Sequence, residues 1–206
     1  MILNSEGFTG LEAAIVLIAF VVTASVFSYV ILGAGFFATQ KAQDVVYTSV
    51  GQSSSGIEIL GDVYGNSTMV GGINAKMDGI RFVVGLTAGG SPVDFASTTL
   101  TFQTKDNVTK INNVTKISSS STDVISDKTA INPGQWGIID IANYENNDKG
   151  ALLENQEQFT IYTVFDEPNQ ISANQEFNLE IRPASGASYG IKRKAPARIT
   201  KINILN

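Results

Sequence analysis

The chain contains no cysteine and no histidine. The first absence excludes disulfide scaffolds and thiolate metal sites. The second removes His-ligated zinc and every Ser-His-Asp or Cys-His arrangement. Most enzyme mechanisms go with them, and the scattered Ser, Thr, Asp and Glu form no constellation that points to Ser-Lys or paired-carboxylate catalysis. The expectation is a protein that is not an enzyme. Positive charge is scarce as well: Lys and Arg number 14 against 19 Asp and Glu, a formal net charge of −5. Phosphate binding needs concentrated cations, so nucleic acid is not an expected partner.

What the chain does have is one long apolar run. Between Glu12 and Lys41, from Ala13 to Gln40, no side chain carries a charge. As a helix this run would extend roughly 42 Å at about 1.5 Å per residue, whereas a bilayer's hydrocarbon core needs only about 30 Å. It holds Thr23, Ser25, Ser28 and Tyr29 among the aliphatics, and the small residues Gly33, Ala34, Gly35 and Ala38, which let helix backbones approach closely. These features describe a helix that resides in a membrane first and packs against other helices afterwards.

Residues 1–7, MILNSEG, are short and polar and end in Gly7 directly before the run. A secretory signal is cut behind its apolar region, and no convincing small-residue site stands there. A cut in front makes Phe8 the first residue and Glu12 the fifth. The string G-FTGLEAAIVLIAF, with LGAGFFATQK further on, resembles the amino-terminal segment of archaeal flagellins (archaellins), which are similar to type IV pilins in this region. The close resemblance covers residues 7 to about 50. It implies cleavage between Gly7 and Phe8 by a prepilin-type peptidase, a membrane-inserted precursor, and delivery to an archaellum assembly platform. It further implies polymerisation through the helix into a homo-oligomeric, helical, extracellular filament for swimming, with an immunoglobulin-like β domain outside. By the same resemblance the Glu12 carboxylate meets the Phe8 amino group of a neighbouring subunit and sets axial register. The plainer alternative is an acid complementing the helix macrodipole. The family's leaders are commonly basic, whereas MILNSEG has no Lys or Arg and contains Glu6.

After Lys41 the apolar positions thin to Ala42, Val45, Val46 and Val50, so the helix continues with one face buried. Gly51 and Ser53-Ser54-Ser55-Gly56 mark a stop, and Ile57–Tyr64 reads as a last turn or a first strand. The expected division is a leader at 1–7, a polymerisation helix at 8–60 and an outer domain at 61–206. Within that domain strands are expected at Thr68–Ile73, Gly79–Thr87, Ser97–Thr104, Val108–Ile117, Gln135–Ala142, Phe159–Phe165, Glu176–Arg182 and Ala197–Ile204. Turn residues such as Asn132-Pro133-Gly134 and Glu167-Pro168-Asn169 punctuate them. The class is α+β: a long hydrophobic N-terminal helix followed by an antiparallel β-sandwich.

Candidate assembly residues are therefore Phe8, Glu12, Gly33 and Gly35. Three N-x-[ST] sequons offer glycosylation at Asn66, Asn107 and Asn113, the last two in a tandem NVTKI-N-NVTKI repeat. Possible N-linked glycans aside, no cofactor is expected. Asp140, Asn143, Glu145, Asn146, Asn147 and Asp148 are hard oxygen donors without a Ca²⁺-loop frame, and read more readily as a solvated turn. Lys192, Arg193, Lys194, Arg198 and Lys201 hold five of the 14 basic residues. They lack interleaved aromatics, and they fit an edge strand or a contact with acidic neighbours. Two other functions stay open: an adhesive type IV-like pilin, and a membrane-anchored surface binding protein that does not polymerise.

Overall fold

A computed structural model describes residues 5–69, 75–114, 125, 128–144 and 150–205, without the side chains of 5–9, 53 and 54. The chain divides into two compact units, Met1–Ser49 and Val50–Asn206.

The first unit is carried by helix α1 (Ser5–Ser54). None of the chain's five prolines falls inside it. Its hydroxyls bond back along the helix: Thr23 Oγ1 donates to Ala19 O (2.8 Å), Ser25 Oγ to Val21 O (2.7 Å), Thr39 Oγ1 to Gly35 O (2.9 Å) and Thr48 Oγ1 to Asp44 O (2.8 Å). The apolar run thus places no unsatisfied hydroxyl of these residues on its surface. Gly10–Gln52 is long and apolar enough to cross a membrane.

The helix stops at Ser54, short of the expected boundary at 60, and Ser55 N still donates to Gly51 O (3.0 Å). Ile57–Leu60 belong to the sheet instead, because Ile57 is buried and pairs with Leu86. The described strands are β1 (Ile57–Asn66), β2 (Lys76–Met77), β3 (Gly79–Leu86), β4 (Val93–Asp94), β5 (Thr99–Thr104), β6 (Val108–Asn113), β7 (Gln135–Ala142), β8 (Leu152–Leu153), β9 (Gln158–Val164), β10 (Ile171–Ser172), β11 (Glu176–Arg182), β12 (Tyr189–Lys194) and β13 (Ile202–Leu205). Nine of them form one sheet in the order β12-β11-β5-β6-β7-β9-β3-β1-β13. Neighbours are antiparallel except β6 and β7, which meet in parallel through only Asn112↔Gln135 and Asn113↔Trp136.

That junction lets the sheet fold over. In a flat sheet β5 and β9 would stand three strand spacings apart, roughly 14 Å. Instead the Phe102 ring on β5 lies 4.4 Å from that of Phe165, the residue after β9, with Phe177 of β11 at 6.0 Å. Two layers, β12-β11-β5-β6 and β7-β9-β3-β1-β13, therefore enclose one core. Strict alternation fills it: Ile80, Phe82 and Val84 from β3, Phe159 and Ile161 from β9, and Phe177, Leu179 and Ile181 from β11. The expected α+β class, a long apolar helix followed by a mostly antiparallel β domain, is what the chain forms.

Several element limits differ from expectation. Thr68 and Met69 bend away after β1, and 70–73 lie outside the described residues. Val108–Ile117 is a strand only to Asn113, and 115–117 also lie outside the description. Of Ala197–Ile204 only Ile202 onward pairs, because the preceding turn is held by Asn203 Oδ1 accepting from Thr200 N (2.8 Å). The basic run Lys192–Lys194 lies on β12, an edge strand, where charge deters unwanted pairing.

Candidate assembly interface and modification sites

Every residue from Gly10 to Val50 is exposed in the single chain, including Leu11, Phe20, Phe27, Phe36 and Phe37. Glu12 sits at the start of this surface, exposed, with Ala13, Val16, Leu17 and Phe20 around it. Gly7 and Phe8 lie within α1. At Gly33 and Gly35 an added Cβ would meet no heavy atom within 4 Å. Glycine inside a helix costs roughly 0.5–1 kcal/mol relative to alanine, and nothing in the chain itself requires it at these positions. Gly10 and Gly51 on the same helix are equally open.

The three sequons differ sharply. Asn66 is half-buried on β1, between β3 and β13. Its hydroxyl-bearing partners are engaged. Ser67 Oγ donates to Lys76 O (2.6 Å), and Thr68 Oγ1 donates to Asp78 Oδ2, which also accepts from Thr68 N (2.9 Å). Asn113 is half-buried too, its Nδ2 donating to Phe95 O (2.9 Å) and Ala96 O (3.4 Å), while Thr115 of its sequon lies outside the described residues. Asn107 alone of the three is exposed, in the turn between β5 and β6. Its Nδ2 donates to Thr109 Oγ1 (3.0 Å) and to Oδ1 of the buried Asn169 (2.7 Å).

Of the oxygen-rich cluster, Asp140 is exposed on β7, Asn143 takes a positive φ of 61° and donates through Nδ2 to Gln156 O (3.2 Å), and 145–148 lie outside the description. Among the described residues no group of three metal-ligating side chains assembles. Lys192 and Lys194 are exposed, as are Arg198 and Lys201 in the link to β13.

One cluster has no counterpart in the sequence patterns. Arg81 on β3 lies over the Tyr64 ring of β1 (5.1 Å), and Lys128 lies over the Tyr162 ring of β9 (5.9 Å). Burial holds the Tyr162 phenol above its ordinary pKa, with Asp78 adding to the rise and the Asn66 bond and Arg81 opposing it. Strand register brings Tyr64, Arg81 and Tyr162 together, and the turn ahead of β7 adds Lys128.

Comparison with known proteins bears on both units. Residues 7–193 match the family described as archaeal-type flagellin. "Probable flagellin 1" of Archaeoglobus fulgidus is 37% identical over 205 residues, covering 98% of this chain and 96% of that protein. The structure of the archaeal flagellum of Methanospirillum hungatei strain JF1 aligns with a TM-score of 0.70 and 30% identity over 96% of this chain and 99% of that one. The crystal structure of an archaeal flagellin from Methanocaldococcus jannaschii shares the fold, with a TM-score of 0.56 and 16% identity over 73% of this chain and 96% of that one.

Proposed function

The chain belongs to the archaeal-type flagellin family, and from that premise we propose that it works as a cleaved, helix-packed element of a swimming filament. It is a structural subunit of the archaellum filament, a helical homo-oligomer on the cell surface, and its role is not catalytic. The single observation that carries the proposed route is the exposed, charge-free stretch Ala13–Gln40 of α1. Water cannot be its final environment. Lipid matches the helix in the precursor, and neighbouring helices match it in the polymer. At about 25 cal/mol per Å², each few hundred Å² of apolar surface buried per neighbour contributes several kcal/mol before association costs. Head-to-tail contacts that do not close extend such an assembly indefinitely.

In this reading a prepilin-type peptidase cuts between Gly7 and Phe8, the platform extracts the subunit from the membrane, and Glu12 takes the Phe8 amine of a neighbour. The finished filament is a passive propeller. A glycan, where one is added, goes to Asn107, the exposed sequon. There it displaces the longer bond to Thr109 and keeps the shorter one to Asn169. Asn66 and Asn113 stay bare because both are half-buried, whereas Asn107 is exposed.

N-terminal sequencing of filaments sheared from intact cells tests the route. A first residue of Phe8 supports it. Retention of Met1 in the membrane fraction, with nothing sheared off, overturns it in favour of a static anchor.

A further inference from the structure

Register fixes what the outer face of the β12-β11-β5-β6 layer displays, because residues directly opposite across neighbouring strands share a face. One row runs Lys192–Asn178–Gln103–Val108, and the next runs Gly190–Glu180–Thr101–Lys110. Lys194 stands opposite Glu176 towards one end of the face, and Arg182 opposite Thr99 towards the other. The turn between β5 and β6 adds Lys105 and Asp106 at a groove of about 780 Å³ that also takes in Gln103, Asn178 and Lys192. Five cations (Lys105, Lys110, Arg182, Lys192, Lys194) thus meet three carboxylates (Asp106, Glu176, Glu180), a net charge of +2 (5 − 3) on a chain of net charge −5. The opposite outer face sets Arg81 and Lys128 against Glu58, Asp62 and Asp140 and has no such excess.

One of the five cations is neutralised within the chain. Arg182 donates to Glu180 Oε1 (2.9 Å), whereas among the described residues Lys105, Lys110, Lys192 and Lys194 form no ion pair, and all four are exposed. At the β12 edge a smaller recess of about 300 Å³ is lined by Glu176, Lys192, Arg193 and Lys194, and the buried Arg193 Nε has no hydrogen-bond partner. Between the cations the face carries neutral polar groups. Asn178 Nδ2 donates to Gln103 Oε1 (3.2 Å), and the hydroxyls of Thr99 and Thr101 stand on the same side of β5. Gly190 keeps the surface low beside them, since a Cβ there would stand 3.1 Å from Asn178 Oδ1.

We propose that this face binds an acidic polysaccharide, its lysines taking the carboxylates of the polymer and its amides and threonine hydroxyls the sugar hydroxyls. Charge complementarity selects an anion. The neutral centre selects among anions. No Phe, Trp or Tyr stands in these rows to stack a base, which disfavours single-stranded nucleic acid. Val108 is the one large apolar side chain in them, too little to enter a bilayer or to anchor a protein hot spot. A polymer that carries both hydroxyls and carboxylates matches both parts of the face. One such contact is weak, because exposed charges are screened. Repetition of the face along a filament supplies the avidity. In this way a swimming filament also adheres.

The test uses intact filaments sheared from cells, with beads coated in polygalacturonate or in neutral dextran. Unsubstituted filaments are expected to bind polygalacturonate at about 50 mM salt, to be released as salt rises, and to ignore dextran. Lys192→Gln combined with Lys194→Gln is expected to lower the bound fraction at least about fivefold. The control pair Lys128→Gln and Lys201→Gln removes the same charge outside this layer and is expected to stay within about twofold of the unsubstituted chain. Lys110→Gln, on β6, is expected to weaken binding from the far side of the same face. Failure to bind polygalacturonate, equal loss in the two pairs, or stronger binding to phosphatidylglycerol vesicles or single-stranded DNA than to the polysaccharide overturns the proposal. A β12 pair that stays folded by circular dichroism but forms no filaments also overturns it, since the face is then a contact between subunits. The filament reading survives each of these outcomes and fails only if the unsubstituted chain forms no filaments.

Discussion

Gly33→Leu separates what the chain needs from what the polymer needs. In the single chain nothing lies within 4 Å of the Cβ position at Gly33, so a leucine fits without a clash. Leucine is also the better helix former, by somewhat under about 1 kcal/mol. That gain cancels in assembly, because the helix is formed both before and after it enters the bundle. What remains is the cost of forcing a branched side chain into a close helix contact, about 1–3 kcal/mol for overpacking. Spread over each subunit added, this raises the concentration needed for growth by about 5- to 150-fold. The assay is the ratio of sheared filament to membrane-retained, processed subunit, with helix content in detergent as the control for folding. Gly33→Ala should have a much smaller effect. A Gly33→Leu strain that sheds filaments in normal yield and with normal thermal stability would refute the reasoning, since the glycine would then face nothing.

Other outcomes follow from the same structure. Glu12→Ala should insert and be processed but assemble poorly, visible as subunit accumulating in the membrane fraction, and normal filament yield would dispose of the register role. Peptide mass spectrometry of native filaments should find any glycan on Asn107 and none on Asn66 or Asn113; a modified Asn113 would contradict the burial argument. Because the folded state holds Tyr162 above its ordinary pKa, it binds more protons than the unfolded state once pH exceeds about 10. Stability then falls as pH rises from there through the folded value. Denaturant melts across that window should show a steeper decline for the native chain than for Tyr162→Phe, and parallel curves would rule the linkage out.

The helix was legible because a charge-free stretch from Ala13 to Gln40 has few alternatives. So were β3, β9 and β11, whose side chains alternate between turn residues; β11 matches the expected limits residue for residue, and so does β7, although a register shift between Ile138 and Asp140 breaks its alternation. β1 was ambiguous for a physical reason: a register shift between Leu60 and Tyr64 breaks its alternation, and pairing with β3 on one side and β13 on the other decides its conformation. β12 showed as a run of charge, and strands of two residues such as β2 and β10 leave no periodic trace. Among site residues, Glu12 stands out by its place beside the apolar run. The sequons were visible as motifs, but whether each amide points outward depends on partners such as Asn169 and Phe95, which sit far along the chain. Tyr64, Arg81 and Tyr162 carry no local signal at all, because their juxtaposition is a product of register.

The back-bonded hydroxyls of α1 bear on the mechanics of the polymer. Thr23, Ser25, Thr39 and Thr48 direct their protons to carbonyls one turn earlier, so these side chains need no partner on an adjacent helix. In the proposed filament, helices that meet at these four positions are held there by shape and close contact and not by interhelical hydrogen bonds, so their grip depends on fit.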